Sequence, residues 1–172
     1  AKLFRISISK GHELIPIEKE VEHARSYLKI QNFRYKNQFS YEFQVEEDCL
    51  QYYCNKITLQ PIIENAIYHG LDRMVDEGRI LIRIYSEGED VVFRVEDNGV
   101  GMSEEQCRSI LHKEPGDNSG IGIKNVNDRI KIYFGKEYGL SIESELDEVE
   151  HGKEEWTQQL HTFYDEFSDT LK

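Results

Sequence analysis

Apolar and polar positions along the chain switch between two periods, and the switches mark the elements. Leu3 to Ser9 alternate, which suits a strand or the end of a helix, and Gly11 breaks the pattern. From Pro16 to about Tyr35, Ile17, Val21, Ala24 and Leu28 recur at helical spacing on one face. Phe39, Tyr41, Phe43 and Val45 alternate with polar residues as a half-buried strand. Thr58 is placed to cap a helix with Pro61 in its first turn, running to about Leu71. Ile80, Ile82 and Ile84, then Val91, Phe93 and Val95, alternate on either side of residues 86–90 and predict a hairpin.

After the hairpin the pattern loosens. Residues 97–119 are irregular, except for a short helix over 103–112 with Ser103 as its cap. Residues 113–120 have a mobile-loop composition. A second main helix runs from Gly122 to about Phe134, with Ile123, Val126, Ile130 and Tyr133 facing inward. Gly139 to Leu146 alternate as a further strand. Trp156, Leu160, Phe163, Phe167 and Leu171, with Tyr164 beside them, predict an amphipathic helix over 154–172. The order of elements implies an α+β domain with a mixed sheet and helices on one face.

Composition narrows the function. At 38% apolar and 172 residues the chain can bury one real core. It holds no apolar run of membrane-spanning length and no basic-then-apolar leader pattern. The net charge of −12 argues against nucleic acid or an anionic membrane surface as partner. An anionic ligand would need local help against that field, from a metal ion or aimed backbone N–H groups. Cys49, Cys54 and Cys107 are odd in number and lack metal-site spacing, so they are expected to be free thiols.

Three segments carry candidate chemistry. In Leu59-Gln60-Pro61-Ile62-Ile63-Glu64-Asn65-Ala66-Ile67-Tyr68-His69-Gly70, a Glu-Asn pair interrupts an apolar helix. Asn65 and His69 fall one turn apart on one face. An amide oxygen is a hard, neutral ligand for magnesium already carrying phosphates, and an imidazole N–H reaches a phosphate oxygen. In Glu96-Asp97-Asn98-Gly99-Val100-Gly101-Met102, a strand delivers a carboxylate to its own end. That acceptor suits the exocyclic amine of adenine and repels the carbonyl of guanine. In Gly120-Ile121-Gly122-Ile123-Lys124-Asn125-Val126, a loop ends in Gly-x-Gly where a helix begins, a phosphate site that needs no net positive charge. Each segment alone also fits a plain structural role; their order and spacing together do not.

In that order the segments resemble the N box, G1 box and G2 box of the ATPase superfamily shared by histidine kinases, gyrase, MutL and heat-shock chaperones. The first and third segments, with Ser26-Tyr27-Leu28 and Gln31-Asn32-Phe33-Arg34-Tyr35 upstream, are similar to LytS/YesM-type sensor histidine kinases. The resemblance covers about residues 1–147. It implies a two-layer α/β sandwich of Bergerat type over residues 37–147, preceded over 1–36 by the end of a dimerisation helix and a connecting helix. Residues 148–172 lie beyond it as an atypical helix, where the family has a Gly-Thr-x-Val-x-Ile-like strand. Such a helix has three open placements: over the sheet edge, on a neighbouring molecule, or as foreign sequence.

By position, the resemblance implies that Asn65 holds Mg2+ and that Glu64 polarises the attacking group. His69 and Gly70 fall near the phosphates. Asp97, Gly99, Val100, Gly101 and Met102 line the adenine side. Residues 103–119 form a lid over ATP, with Gly120, Ile121, Gly122 and Ile123 at its phosphate-side hinge. The implied activity is phosphoryl transfer from ATP to a histidine in a Pro-His-Phe-like motif, upstream of Leu3 in the family. His12 and His23 stand in the wrong context for that acceptor. The implied partners are the upstream dimerisation helices, a second copy of the full-length protein and a response regulator. The implied location is the cytoplasmic side of a membrane-anchored protein. An anti-sigma-type serine kinase and a nucleotide-gated interaction module without transfer are the alternatives.

Overall fold

Alternation decides the sheet. In the computed structural model, which describes residues 14–71, 77–112, 121–144 and 158–162, β4 (Gly78–Glu87) buries Ile80, Ile82 and Ile84 while its intervening residues stay exposed or half-buried. Strand β5 (Asp90–Asp97) buries Val91, Phe93 and Val95 on the same side, and Val92 is buried on the other. The two pair antiparallel from Ile80 opposite Asp97 to Glu87 opposite Asp90. Gly88, at φ +66°, takes the left-handed position that so short a hairpin turn requires.

Around this hairpin the order is β1 (Leu14–Pro16), α1 (Ile17–Arg34), β2 (Phe39–Val45), a 3-10 turn (Glu47–Gln51), β3 (Tyr53–Asn55) and α2 (Leu59–Asn65). The helix α2 continues as a π-helical turn over Ala66–Leu71. After β5 come α3 (Glu104–His112), α4 (Ile121–Phe134), β6 (Gly139–Leu140) and β7 (Gln158–Thr162). The main sheet has the order β2-β4-β5-β7-β6, with β2 parallel to β4 and the other pairs antiparallel. Strands β1 and β3 form a separate antiparallel pair.

One core joins the layers. Ile17, Val21, Ala24 and Leu28 of α1 meet Leu59, Ile62, Ile63, Ala66 and Ile67 of the second helix, Val126 and Ile130 of α4, and the inward residues of β4 and β5. The expected α+β class, with a mixed sheet and covering helices, is what the chain adopts.

Two expectations about the C-terminal strands fail. The helix over 154–172 is contradicted at Gln158–Thr162, which forms β7 between β5 and β6, Leu160 opposite Phe93. The backbone N–H and C=O groups along that side of β5 need partners, and pairing overrides a helical spacing of apolar residues. The rest of that stretch, Leu3 to Ser9 and the loop over 113–120 lie outside the described residues. The strand expected over Gly139 to Leu146 stops at Leu140. Residues 141–144 leave the sheet, and Ser144 Oγ instead accepts the Met102 N–H at 2.9 Å.

Candidate functional site

The site grows from the ends of α2 and β5. At the start of α2, Thr58 does not act as the cap: its backbone is already helical, and its Oγ1 donates to the Asn55 carbonyl at 2.7 Å. The orphan N–H groups go to a side chain from α1. Glu20 is 1% exposed, and its carboxylate accepts the N–H groups of Ile57, Thr58 and Leu59 at 2.9, 2.7 and 2.8 Å. An acceptor-only group with four lone-pair sites satisfies three donors at once, which a threonine hydroxyl cannot do. Ile57 itself sits at φ +57°, a strained region for a β-branched residue that costs on the order of 1–3 kcal/mol.

Further along α2, Glu64 is half-buried and Asn65 is 7% exposed. Gln60 Nε2 donates to Glu64 Oε1 at 2.9 Å. From α1 the Tyr27 hydroxyl faces Glu64 and Tyr68 and hydrogen-bonds with both. Burial, then the charge of Glu64, pushes the Tyr27 pKa well up, so this hydroxyl stays protonated and available as a donor to the Glu64 carboxylate. The helix then widens into the π-helical turn that carries His69 and Gly70, and this turn packs against β4 and β5. A π-turn inserted in a helix is characteristic of functional segments. The His69 side chain lies outside what the structure describes.

Asp97 ends β5, as its sequence position implied. Its Oδ1 accepts the Gly99 N–H at 3.0 Å, closing a tight turn, and Gly101 follows at φ +70°. Gly99 is buried, while Val100, Gly101 and Met102 are half-buried. Burial raises the Asp97 pKa to about 6, against the lowering effect of the Gly99 N–H. A carboxyl whose pKa is raised on folding favours the folded state at low pH. That contribution is lost as pH climbs from the ordinary value of 3.8 through about 6.

Ser103 caps α3 as expected, in a reciprocal box: Gln106 N–H donates to Ser103 Oγ at 3.3 Å, and Ser103 N–H to Gln106 Oε1 at 2.9 Å. The helix α3 packs on α4. At the start of α4, Gly122 lies against α2: a Cβ placed there would sit 3.1 Å from the Pro61 Cβ, so the glycine permits the close approach. Ile123 is buried beneath it. Gly120 lies outside the described residues, and Ile121 is described by its backbone alone.

The first segment thus packs on the elements that carry the other two. The helix α2 packs against α4, and its π-helical turn packs against β5. Among the described residues no group of three His, Cys, Asp or Glu side chains could hold a metal ion alone. A lone amide such as Asn65 therefore fits only an ion that brings most of its ligands with it, as magnesium does on phosphates. Sequence reasoning missed Glu20, Tyr27 and Arg129. Glu20 left a signal, a charged residue inside the apolar stripe of Ile17, Val21, Ala24 and Leu28. The three cysteines are free and buried, as expected.

A mixed sheet covered by helices, with α2 packed on α4 and its π-helical turn packed on β5, is the arrangement of the two-layer ATPase domains that the sequence resembles. The family model for "Histidine kinase-, DNA gyrase B-, and HSP90-like ATPase" matches residues 54–164, and the chain belongs to that family. A second model, "Histidine kinase", matches residues 1–39. Sensor histidine kinase BtsS of Escherichia coli K12 is 31% identical over 144 residues, 84% of this chain and 24% of that protein. Sensor histidine kinase YesM of Bacillus subtilis 168 is 34% identical over 143 residues, 83% and 24%. Sensor protein LytS of Bacillus cereus is 30% identical over 148 residues, 84% and 25%. The chain spans about a quarter of the length of these curated relatives. Among solved structures, the mycobacterial sensor histidine kinase MprB shares the fold with a TM-score of 0.60 at 12% identity, over 88% of this chain and 97% of that one. A nucleotide-free catalytic domain of histidine kinase ThkA gives 0.57 at 14%, over 87% and 95%.

Proposed function

We propose that this domain binds MgATP between α2 and the Asp97 turn and transfers the γ-phosphoryl group to a histidine of the same kinase upstream of Leu3. The observation that carries the reading is the packing of the helix bearing Glu64 and Asn65 on α4, Gly122 lying against Pro61, together with the packing of the π-helical turn that follows it on β5, the strand that Asp97 ends. The match of residues 1–39 to a histidine kinase model favours histidine over serine as acceptor. Asp97 accepts the adenine amine. Gly99, Val100, Gly101 and Met102 shape the base pocket, and α3 with residues 113–119 covers the nucleotide. His69, Gly70 and the Gly120, Ile121, Gly122 and Ile123 segment surround the phosphates. Asn65 holds the magnesium ion, which supplies charge neutralisation on the phosphates. Glu64, oriented by Gln60 and Tyr27, polarises the attacking imidazole. Catalysis of this kind is positioning and electrostatics.

In the full-length protein the partners are a second copy, joined through upstream helices, and a response regulator. The domain sits on the cytoplasmic side of a membrane-anchored protein. Among the described residues no helix is long and apolar enough to cross a membrane.

The test is transfer in trans. The chain is mixed with MgATP and a separately made upstream segment carrying the acceptor histidine, and acid-labile phosphate is measured. Transfer to histidine is expected. Transfer to serine on a partner would replace this reading with a serine kinase, and magnesium-dependent binding without transfer with a nucleotide-gated module.

The raised pKa of Asp97 adds a pH signature. Only the ionised carboxyl is a pure acceptor for the adenine amine, so affinity should fall about tenfold per pH unit below about 6. Titration with adenosine checks this, because it lacks phosphates that protonate in the same range. A flat profile removes Asp97 from the base pocket.

A further inference from the structure

The turn that launches α2 is gripped from two sides. From α1, Glu20 takes the N–H groups of Ile57, Thr58 and Leu59. From α4, the Arg129 guanidinium donates to the Lys56 carbonyl at 3.0 Å and to the Ile57 carbonyl at 2.9 Å. Ile57 therefore has its N–H on an anion and its C=O on a cation, and it stands between them at φ +57°. A β-branched residue left to itself moves to negative φ, so a surrounding structure must hold it there. Charge-assisted hydrogen bonds on both sides of the residue are a sufficient hold.

What the turn holds matters for the site. It is the first support of α2, and Glu64 and Asn65 lie one to two turns along that helix. The same Arg129 belongs to α4, whose first residues pack on Pro61 of α2. The strained turn is thus the point where α1, α2 and α4 are tied by polar groups, apart from their shared apolar core.

We propose that Glu20 and Arg129 are positioning residues of the nucleotide site: by holding the Ile57 turn in its left-handed form, they set the direction in which α2 presents Glu64 and Asn65. The proposal rests on the reading of that site as one for MgATP. It also makes α1 part of the site's framework, so a displacement of α1 is transmitted to α2 through the Glu20 carboxylate.

A purely structural role predicts lower melting temperatures with unchanged nucleotide affinity at temperatures where the variants stay folded. The test therefore measures both, by calorimetric titration with MgATP and by thermal melting, on the whole chain. Glu20→Gln keeps one acceptor but turns an N–H2 toward the backbone donors. Affinity for MgATP is expected to fall about tenfold, a factor that one strong hydrogen bond can carry. Arg129→Gln should fall comparably. The double variant should fall by less than the product, because both residues act on one turn. Adding Ile57→Gly to Glu20→Gln should restore most of the affinity, since glycine takes positive φ without restraint.

If Glu20→Gln does not fold, Arg129→Gln decides alone, a loss of affinity supporting the proposal and parent-like binding overturning it. Folded variants that bind within about twofold of the parent overturn it at any melting temperature, as does failure of Ile57→Gly to rescue. A parent chain that takes up no MgATP has a different signature and overturns the nucleotide reading itself.

Discussion

Asp97→Asn is expected to lower MgATP affinity about hundredfold and to remove the preference for adenine over guanine nucleotides. Asp97 Oδ1 is already committed to the Gly99 N–H, and an asparagine oxygen takes over that bond. Its amide nitrogen then occupies the place of the free carboxylate oxygen. A donor now meets the adenine amine, also a donor, where an acceptor stood. One lost hydrogen bond plus one unpaired buried donor amounts to roughly 2–3 kcal/mol, which sets the hundredfold scale. The same nitrogen is a good partner for the guanine carbonyl, so GTP should gain relative to ATP. Competition titration with the two nucleotides measures this. The variant should melt no lower than the parent at neutral pH, because it removes a carboxylate whose burial opposes ionisation. ATP binding equal to the parent's would move the base pocket elsewhere.

Glu64→Gln should leave MgATP binding within about threefold and slow transfer to histidine by about 10²–10³, the usual worth of a positioned base. The substitution keeps size and keeps an oxygen for Gln60 Nε2 and the Tyr27 hydroxyl, so the local hydrogen bonds survive. What it loses is the negative charge that draws the imidazole proton. Single-turnover formation of acid-labile phosphate separates the chemical step from binding. Parent-like transfer would remove Glu64 from the chemistry and leave it as part of the hydrogen-bonded contact between α1 and α2.

The sequence made some of this legible because certain residues contradict their surroundings. Glu64 and Asn65 stand out as polar residues in an apolar helical run, and Asp97 as a charge ending an alternating strand. The structure packs the helical turn that follows Asn65 on β5, the strand that Asp97 ends. Period-two and period-four spacing located β4, β5, α1 and α4, since each buries a single face. The periodicity of Trp156, Leu160 and Phe163 misled, because spacing describes what one segment can do alone. The strand β7 exists to pair with β5 and β6, and pairing is a property of neighbours. Thr58 misled for a similar reason. A local cap lost to Glu20, a carboxylate 37 to 39 residues away in sequence, which no window of a dozen residues contains. Arg129 escaped notice on the same ground, since its acceptors are carbonyls 72 and 73 residues earlier.

The widened turn at Ala66–Leu71 makes the length of this segment a specification in its own right. A π-turn accommodates one residue more than an α-helix allows over the same rise. Deleting a single residue between Ala66 and Leu71 would let the ladder fall back to its common form with both ends kept in place, and would remove the widened turn that carries His69 and Gly70. Swapping this helix between homologues therefore keeps the widened turn only where the residue count between Ala66 and Leu71 is kept.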